Sequence, residues 1–305
     1  MTVPNNPYPS VTVDTTAHPV DGADTWYVVG LSGIPSSDNQ GHTSNAGFVT
    51  TGDGVVVYDA LGTPSLGFEL IRRIREVTDE PIRYVIAGHY HADHIYGLQA
   101  FADHTGAHII GQELAKSYLD SGTARQRLAQ RRDVLFPWVD ENTRVVHPDE
   151  FFDAEHTLKL GDKTFRLLHA GPAHSLDDVI MVIEETGVVF AGDIVFDGRL
   201  PFVGDDDVNT RNWIDRLDMV QEMDPSFLIP GHGDATRHAA RAVSFTRGYL
   251  RDLRETMADA VENFLSFDEA YDAADWSKYE NVTAFAETHR RNASAVFLEI
   301  ESEMF

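Results

Sequence analysis

Four potential metal ligands fall within six residues of the segment Gly88-His89-Tyr90-His91-Ala92-Asp93-His94. The chain has 14 histidines in 305 residues, so three within six positions is far from an even spread. Imidazole and carboxylate supply nitrogen and oxygen donors, and the leading glycine gives the backbone freedom to aim them. His at i, i+2 and i+5 with Asp at i+4 cannot share one helix face, so the spacing predicts an irregular loop at a sheet edge. Three further segments repeat one grammar, an apolar strand followed by a polar residue beside glycine. Leu167-Leu168-His169-Ala170-Gly171-Pro172-Ala173-His174-Ser175 offers His174, Val188-Val189-Phe190-Ala191-Gly192-Asp193 offers Asp193, and Phe227-Leu228-Ile229-Pro230-Gly231-His232-Gly233 offers His232. Open α/β sheets place their sites just past the ends of such strands. Each of the three alone reads equally well as a turn; with the first cluster they make seven N/O ligands. There is no cysteine, which removes disulfides, thiolate nucleophiles and sulfur-ligated metals together. Imidazole and carboxylate without thiolate suit zinc, whose catalytic sites keep one position open for water.

The elements that must position these residues follow from apolar periodicity. The Pro-, Asn- and Thr-rich residues 1–24 read as a loosely docked arm. Strands are predicted at Thr25–Val29, Ala46–Thr50 and Val55–Tyr58, and Gly30 to Asn45 as a long mobile loop. Pro64–Thr78 has a helical stripe of Leu66, Leu70, Ile74 and Val77. A buried strand at Arg83–Ala87, a helix near Tyr96–Ala102, a strand at Ala107–Ile110 and helical sequence from Gln112 to about Leu135 come next. A second β-rich block begins near Phe151, with strands at His156–Leu160, Thr164–His169, Val179–Ile183 and Val188–Ala191. The helix Asn209–Glu222 and the strand Phe227–Ile229 complete it. Two similar β/α halves predict an α/β fold of two sheets packed face to face with helices outside. From Ala235 the sequence turns helical: a long stripe from Val243 to Phe264, a Ser266/Glu269 capping box, and a last helix capped by Asn281 that buries Val282, Phe285, His289, Val296 and Ile300. The division is an arm over 1–24, a domain over 25–234 and a helical extension over 235–305 packed on it.

Composition bounds the function classes. Against 49 Asp+Glu stand 24 Lys+Arg, a net charge of −25. Such a surface repels phosphate backbones and anionic lipid, so neither nucleic acid nor membrane is an expected partner. No run of about 18 apolar residues exists to span a bilayer. The first residues lack a basic and an apolar region of a signal peptide, so a cytoplasmic location is expected. Of the basic residues 20 are Arg and 4 are Lys. Salt adaptation produces such a surface; so does ordinary acidity combined with a codon bias toward Arg.

The pattern resembles the metallo-β-lactamase superfamily, in the H-x-H-x-D-H stretch at 89 to 94 and the GPAHS, AGD and PGHG segments downstream. The resemblance runs from about Thr25 to Gly233 and implies a four-layer αββα sandwich with metals at one edge. It implies that His89, His91 and His174 hold a first metal, that Asp93, His94 and His232 hold a second, and that Asp193 bridges them. Two Zn2+ per chain are expected, with iron as the other candidate. Asp193 stands where thiolate-using β-lactamases carry Cys, and His91 where flavodiiron proteins carry Glu. The flanks HTSNAGFV (42–49), VVVYDA (55–60) and HRRNASAVFLEIE (289–301) resemble the SoxH-like and quinoprotein-relay zinc hydrolases.

The function implied is a binuclear zinc hydrolase in which a metal-bridging hydroxide, oriented by Asp93, attacks a small-molecule carbonyl substrate: an ester, thioester, lactone or β-lactam. Two alternatives remain: a persulfide dioxygenase-like enzyme with one iron on His89, His91, His174 and Asp193, and a non-catalytic metal-binding module. Neither substrate nor oligomeric state is legible. Asp59 reads equally as a support of the metal loop or a turn cap. His42 reads as an exposed loop residue, His169 as packed, and Asp205-Asp206-Asp207 as a solvated turn. Phe136, Trp138 and Phe202 read as packing residues. His18, His104, His108, His147, His156, His238 and His289 are assigned no role in function. The loop Leu31–Gln40 and the C-terminal helices are expected to wall the pocket.

Salt adaptation predicts a melting temperature that climbs from low to molar NaCl, measured by differential scanning calorimetry; a flat profile contradicts it.

Overall fold

Along Val55–Tyr58 the side chains alternate between two apolar layers, which is the period of a strand covered on both faces. Val55 and Val57 join a core shared with Leu66, Leu70, Ile74 and Phe101, whereas Val56 and Tyr58 join one shared with Phe165, Met181 and Phe190. The computed structural model describes residues 3–204 and 207–304. Its first sheet is ordered β1 (His18–Val20), β2 (Thr25–Val28), β3 (Ala46–Thr50), β4 (Val55–Tyr58), β5 (Ile82–Ile86), β6 (His108–Gln112) and β7 (Glu150–Phe152). Pairing is antiparallel from β1 to β4 and parallel from β4 to β7. The second sheet comprises β8 (Glu155–Leu160), β9 (Lys163–His169), β10 (Val179–Ile183), β11 (Val188–Asp197) and β12 (Phe227–Gly233), antiparallel except for the parallel β11–β12 pair.

Helices α1 (Pro64–Val77), α2 (Ala92–Ile95), α3 (Leu98–His104), α4 (Ala115–Leu119) and α5 (Gly122–Leu135) accompany the first sheet. Helices α6 (Thr210–Glu222), α7 (Ala239–Glu262), α8 (Phe267–Ala273) and α9 (Phe285–Met304) cover the second through Trp213, Leu217, Tyr249, Leu253, Val296 and Ile300. The layers are therefore α, β, β, α, with the C-terminal helices in the same core as α6. None of the helices among the described residues is long and apolar enough to cross a membrane.

The structure corrects several local expectations. His18–Val20, within residues 1–24, is an edge strand that was not expected there; it finds a pairing partner in Thr25–Tyr27 across the Gly22 turn. The helix expected near Tyr96–Ala102 is two short helices broken at Gly97, where a Cβ would sit 1.7 Å from the Ala60 carbonyl oxygen. Asn281 does not cap α9. The helix begins four residues later, after Ala284 in a left-handed conformation at φ 68°. Asn39 to Asn45, in the loop expected to be mobile, are all buried; Asn39 Oδ1 accepts from the backbone of Ser36 and Gly41 at 2.9 and 3.0 Å. The capping box of Ser266 and Glu269 is present as expected.

His289 is buried between Phe285, stacked at 4.5 Å, and Trp276, edge-on at 4.4 Å, with Nδ1 2.9 Å from the Tyr249 hydroxyl. Burial pushes its pKa down to about 4. The folded state thus keeps the ring neutral while the unfolded chain protonates it near 6.5, so stability is lost as pH falls from about 6.5 to about 4. His289→Leu should remove this slope. Between about pH 7 and pH 4.5 the wild-type unfolding free energy from urea titration should drop by roughly 2–3 kcal/mol more than the variant's; equal drops contradict the assignment.

Candidate metal centre

Strand β5 runs into Gly88, whose amide donates to Asp59 Oδ1 at 2.7 Å. A Cβ on Gly88 would meet Asp59 Oδ1 and the Tyr58 hydroxyl at 2.7 Å, so only glycine lets the chain pass here. His89 and His91 leave the extended segment that follows. Asp93 and His94 then sit on the first turn of α2, so the four side chains come from two backbone conformations and converge. Asp59, held at φ 61° just past β4, turns its Oδ2 onto His94 Nδ1 at 2.7 Å. Carboxylate accepts only, so Nδ1 carries the hydrogen and Nε2 is left facing the cluster. Of the two readings of Asp59, the geometry is that of the supporting one.

The second sheet supplies the other half. His174, in the loop after β9, lies 2.9 Å from His91 Nδ1 and 3.2 Å from Asp193 Oδ2 through its Nε2, while its Nδ1 faces the Phe202 carbonyl at 3.1 Å. Asp193 was expected past a strand end. It stands within β11 instead, inside the second of two irregularities in the pairing with β12, the one between Gly192 and Phe196. Gly231 is required beside it, since a Cβ there would fall 1.9 Å from Asp193 Oδ1. His232, inside β12, brings Nε2 to 3.1 Å from Asp193 Oδ2 and 3.5 Å from Asp93 Oδ2, and its Nδ1 donates to the Thr43 carbonyl at 2.6 Å. His94 Nε2 is 3.3 Å from Asp193 Oδ1. All seven sequence-predicted residues are thus brought together.

Their donor atoms form two groups, His89, His91, His174 and Asp193, and Asp93, His94 and His232, each within 4.8 Å of one another. Both ring nitrogens of His89, His94 Nε2 and Asp193 Oδ1 are buried without a hydrogen-bond partner. Such atoms are costly to bury unsatisfied, and as N/O donors aimed at common points they fit a metal. Four of the imidazoles and carboxylates perturb one another strongly. Burial opposes ionisation of Asp193, but the imidazoles of His232, His94 and His174 outweigh it and hold the carboxyl well below its usual range. Asp93 is lowered in the same way, by His94 and His232 against burial. Burial opposes a charge on His94, yet Asp193, Asp59 and Asp93 push its pKa well up. His89 goes well down, through burial first and the neighbouring His94 second.

Sequence reasoning missed the residues that pin the cluster from the β2–β3 loop. Thr43 Oγ1 donates to Asp93 Oδ2 at 3.1 Å, and Ser44 Oγ to the Asp93 carbonyl at 2.5 Å. Asn45 is a stitch across the site: its amide donates to Gly231 O, its Nδ2 to Pro230 O and Gly233 O, and its Oδ1 accepts from Gly30 N, all within 2.7–2.9 Å. They lie in the HTSNAGFV stretch (42–49) that carries part of the family resemblance, but that resemblance gave them no role, and their composition alone, small polar residues next to a predicted strand, does not show one. His42, expected in solvent, is fully buried with both ring nitrogens unpartnered, and burial takes its pKa down to about 4. His169 is packed as expected, Nε2 2.8 Å from the Leu176 carbonyl. Phe202 lines the cleft over the cluster, while Phe136 is exposed and Trp138 Nε1 donates to the Ser10 carbonyl at 2.9 Å. Asp205 and Asp206 lie outside the described residues; Asp207 accepts from the Tyr90 hydroxyl at 3.1 Å.

The cleft has a volume of about 430 Å³. Its walls include Ile34 and Pro35 of the β2–β3 loop and Thr288 and Arg291 of α9, together with Arg127 and Arg131 of α5. Helix α5 was not expected there.

A family profile described as the metallo-beta-lactamase superfamily matches residues 40–232. The fold and the His/Asp site together define a metal-dependent hydrolase class, and the chain belongs to the metallo-beta-lactamase superfamily. It is 29% identical over 171 residues to hydroxyacylglutathione hydrolase GloC of Haemophilus influenzae, covering 55% of this chain and 76% of that one. It is 22% identical over 212 residues to a linear primary-alkylsulfatase of Pseudomonas sp., covering 59% of this chain and 40% of the relative. Among solved structures, the stereoselective inverting sec-alkylsulfatase Pisa1 from Pseudomonas sp. shares the fold at a TM-score of 0.71 and 14% identity, over 93% of this chain and half of that one.

Asn45→Ala removes three side-chain hydrogen bonds in a buried place and strands the Pro230 and Gly233 carbonyls and the Gly30 amide that they satisfied. Urea unfolding of the metal-free protein should show a loss of about 2–4 kcal/mol; a loss under about 0.5 kcal/mol contradicts the stitch.

Proposed function

We propose that the chain is a binuclear zinc hydrolase that cleaves a carbonyl-type substrate such as an ester, thioester, lactone or β-lactam. His89, His91 and His174 would hold one metal and Asp93, His94 and His232 the other, with Asp193 available to both. The observation that carries this reading is the position of Asp193, whose Oδ1 faces His94 at 3.3 Å and whose Oδ2 faces His174 at 3.2 Å and His232 at 3.1 Å. One carboxylate therefore touches both donor groups. The completeness of the Asp93, His94 and His232 group favours two metals over a single iron on the other four residues.

When bound, the metals supply a water that is nucleophilic near neutral pH and a Lewis acid for the substrate oxygen. Everything else falls to side chains. Asp59 fixes the His94 tautomer, and the carbonyls of Thr43 and Phe202 do the same for His232 and His174. Asp93, kept ionised and pinned by Thr43 Oγ1, would orient the attacking water through its carboxylate. No Ser or Cys nucleophile is required. The relative GloC, named a hydrolase, supports the reaction class. The same reading divides the chain into an arm over 1–24, a catalytic sandwich over 25–234 and a helical extension over 235–305, supported by the apolar core that α7 and α9 share with the second sheet.

The test is elemental analysis beside a panel of chromogenic esters, lactones and β-lactams. His91→Ala and Asp93→Ala should each lower metal content and cut hydrolysis at least ~10²-fold, with the circular dichroism of a folded protein kept. Wild-type turnover in metal-stripped protein overturns the proposal, as does one iron per chain with persulfide-dependent oxygen uptake.

A further inference from the structure

We infer that the cleft contains an anion subsite built on Arg199 and Arg131, and that it takes an amphiphile with one carboxylate or sulfate group joined to an apolar chain. This deepens the hydrolase reading and rests on it only for the bond that is cut, not for the binding itself.

Arg199 is 6% exposed and lines the cleft beside the cluster. It makes no ion pair with a carboxylate among the described residues, and its Nε is buried without a partner. Its Nη1 lies 3.2 Å from His232 Nδ1, but that nitrogen already gives its hydrogen to the Thr43 carbonyl. Two donors therefore face one another, and the guanidinium lacks the acceptor that a buried charge requires. Loading the cluster sharpens the demand: two divalent ions against the carboxylates of Asp93 and Asp193 leave the floor positive. Arg131, half-buried on α5, likewise makes no ion pair among the described residues and lines the same cleft. Arg127 and Arg291 also lie in its wall, against the single further carboxylate of Glu287. Four arginines in one cleft of a chain with net charge −25 is a local reversal of sign. A planar guanidinium accepts carboxylate and sulfate oxygens in the same fork geometry, which is why both are named.

The mouth has the opposite character. Ile34 and Val134, 59% and 46% exposed, stand on the lip, with Pro35 and Phe202 beside them. A ligand with its charge at Arg199 therefore carries its apolar part outward across these residues.

Isothermal titration of the zinc-loaded protein with octanoate, octyl sulfate and neutral octanamide, each below its micellar concentration, tests this. At least one anion should bind roughly 10-fold or more tighter than octanamide, and the tighter of the two identifies the head group. Arg199→Gln should weaken that anion about 10–100-fold, the scale of one charge-assisted hydrogen-bonded contact, with octanamide little changed. Arg131→Gln, away from the cluster, should weaken it several-fold and carries the test if Arg199→Gln fails to fold or to hold zinc. Equal affinity for all three probes, or anion affinity retained in the folded variants, overturns the subsite even where esters are still cleaved. Anion binding that follows the arginines in a protein that cleaves none of the panel overturns the hydrolase reading instead.

Discussion

Two ionised carboxylates and five imidazoles occupy a largely buried pocket at the edge of two sheets, and several of their polar atoms have no partner among the described residues. Left alone, such a cluster would be destabilising, because desolvated donors and acceptors lose water without gaining a hydrogen bond. Asp193 is the centre of that problem. It is buried, and only the surrounding imidazoles keep it charged. The rest of the architecture can be understood as what is needed to hold these groups in place against their own desolvation until a cation satisfies them.

That requirement explains why the site draws on both sheets. His89 and His91 follow β5 of the first sheet, Asp93 and His94 the turn beyond it, and His174, Asp193 and His232 come from the second. The relative position of the sheets therefore sets the donor spacing, and the apolar layer of Val56, Ile86, Phe165, Met181 and Phe190 fixes it by close packing. Asn45 ties the two sheets at the site itself, and glycines at 88 and 231 allow the approach that any Cβ would block. Packing, hydrogen bonding and backbone freedom thus act on one small region.

Much of this was legible in the sequence. The apolar runs Val55–Tyr58 and Val179–Ile183 announce doubly covered strands by composition alone, and the dense histidine segment announces convergence because no regular element could spread those side chains usefully. What was not legible depends on contacts between distant segments. Asp193 was expected past its strand, since nothing local to Gly192-Asp193 reveals that β12 pairs on past the irregularity as far as Asp197. His42 looked exposed because its neighbours are polar, yet the loop folds inward through Asn39 and its turns. The cap of α9 was misplaced because Asn281 has the chemistry of a cap, whereas the left-handed Ala284 that precedes the helix has no sequence signature. The arginines of the cleft come from α5, the segment after β11 and α9, and no spacing along the chain brings them together.

Titration calorimetry of the metal-stripped chain with zinc tests the central claim most directly, when run on the wild type beside Asp193→Ala and His232→Ala. A carboxylate shared by two cations predicts two zinc ions per wild-type chain, loss of both sites in Asp193→Ala, and loss of one alone in His232→Ala. A single site in the wild type, or an Asp193→Ala chain that still takes up two ions, contradicts it.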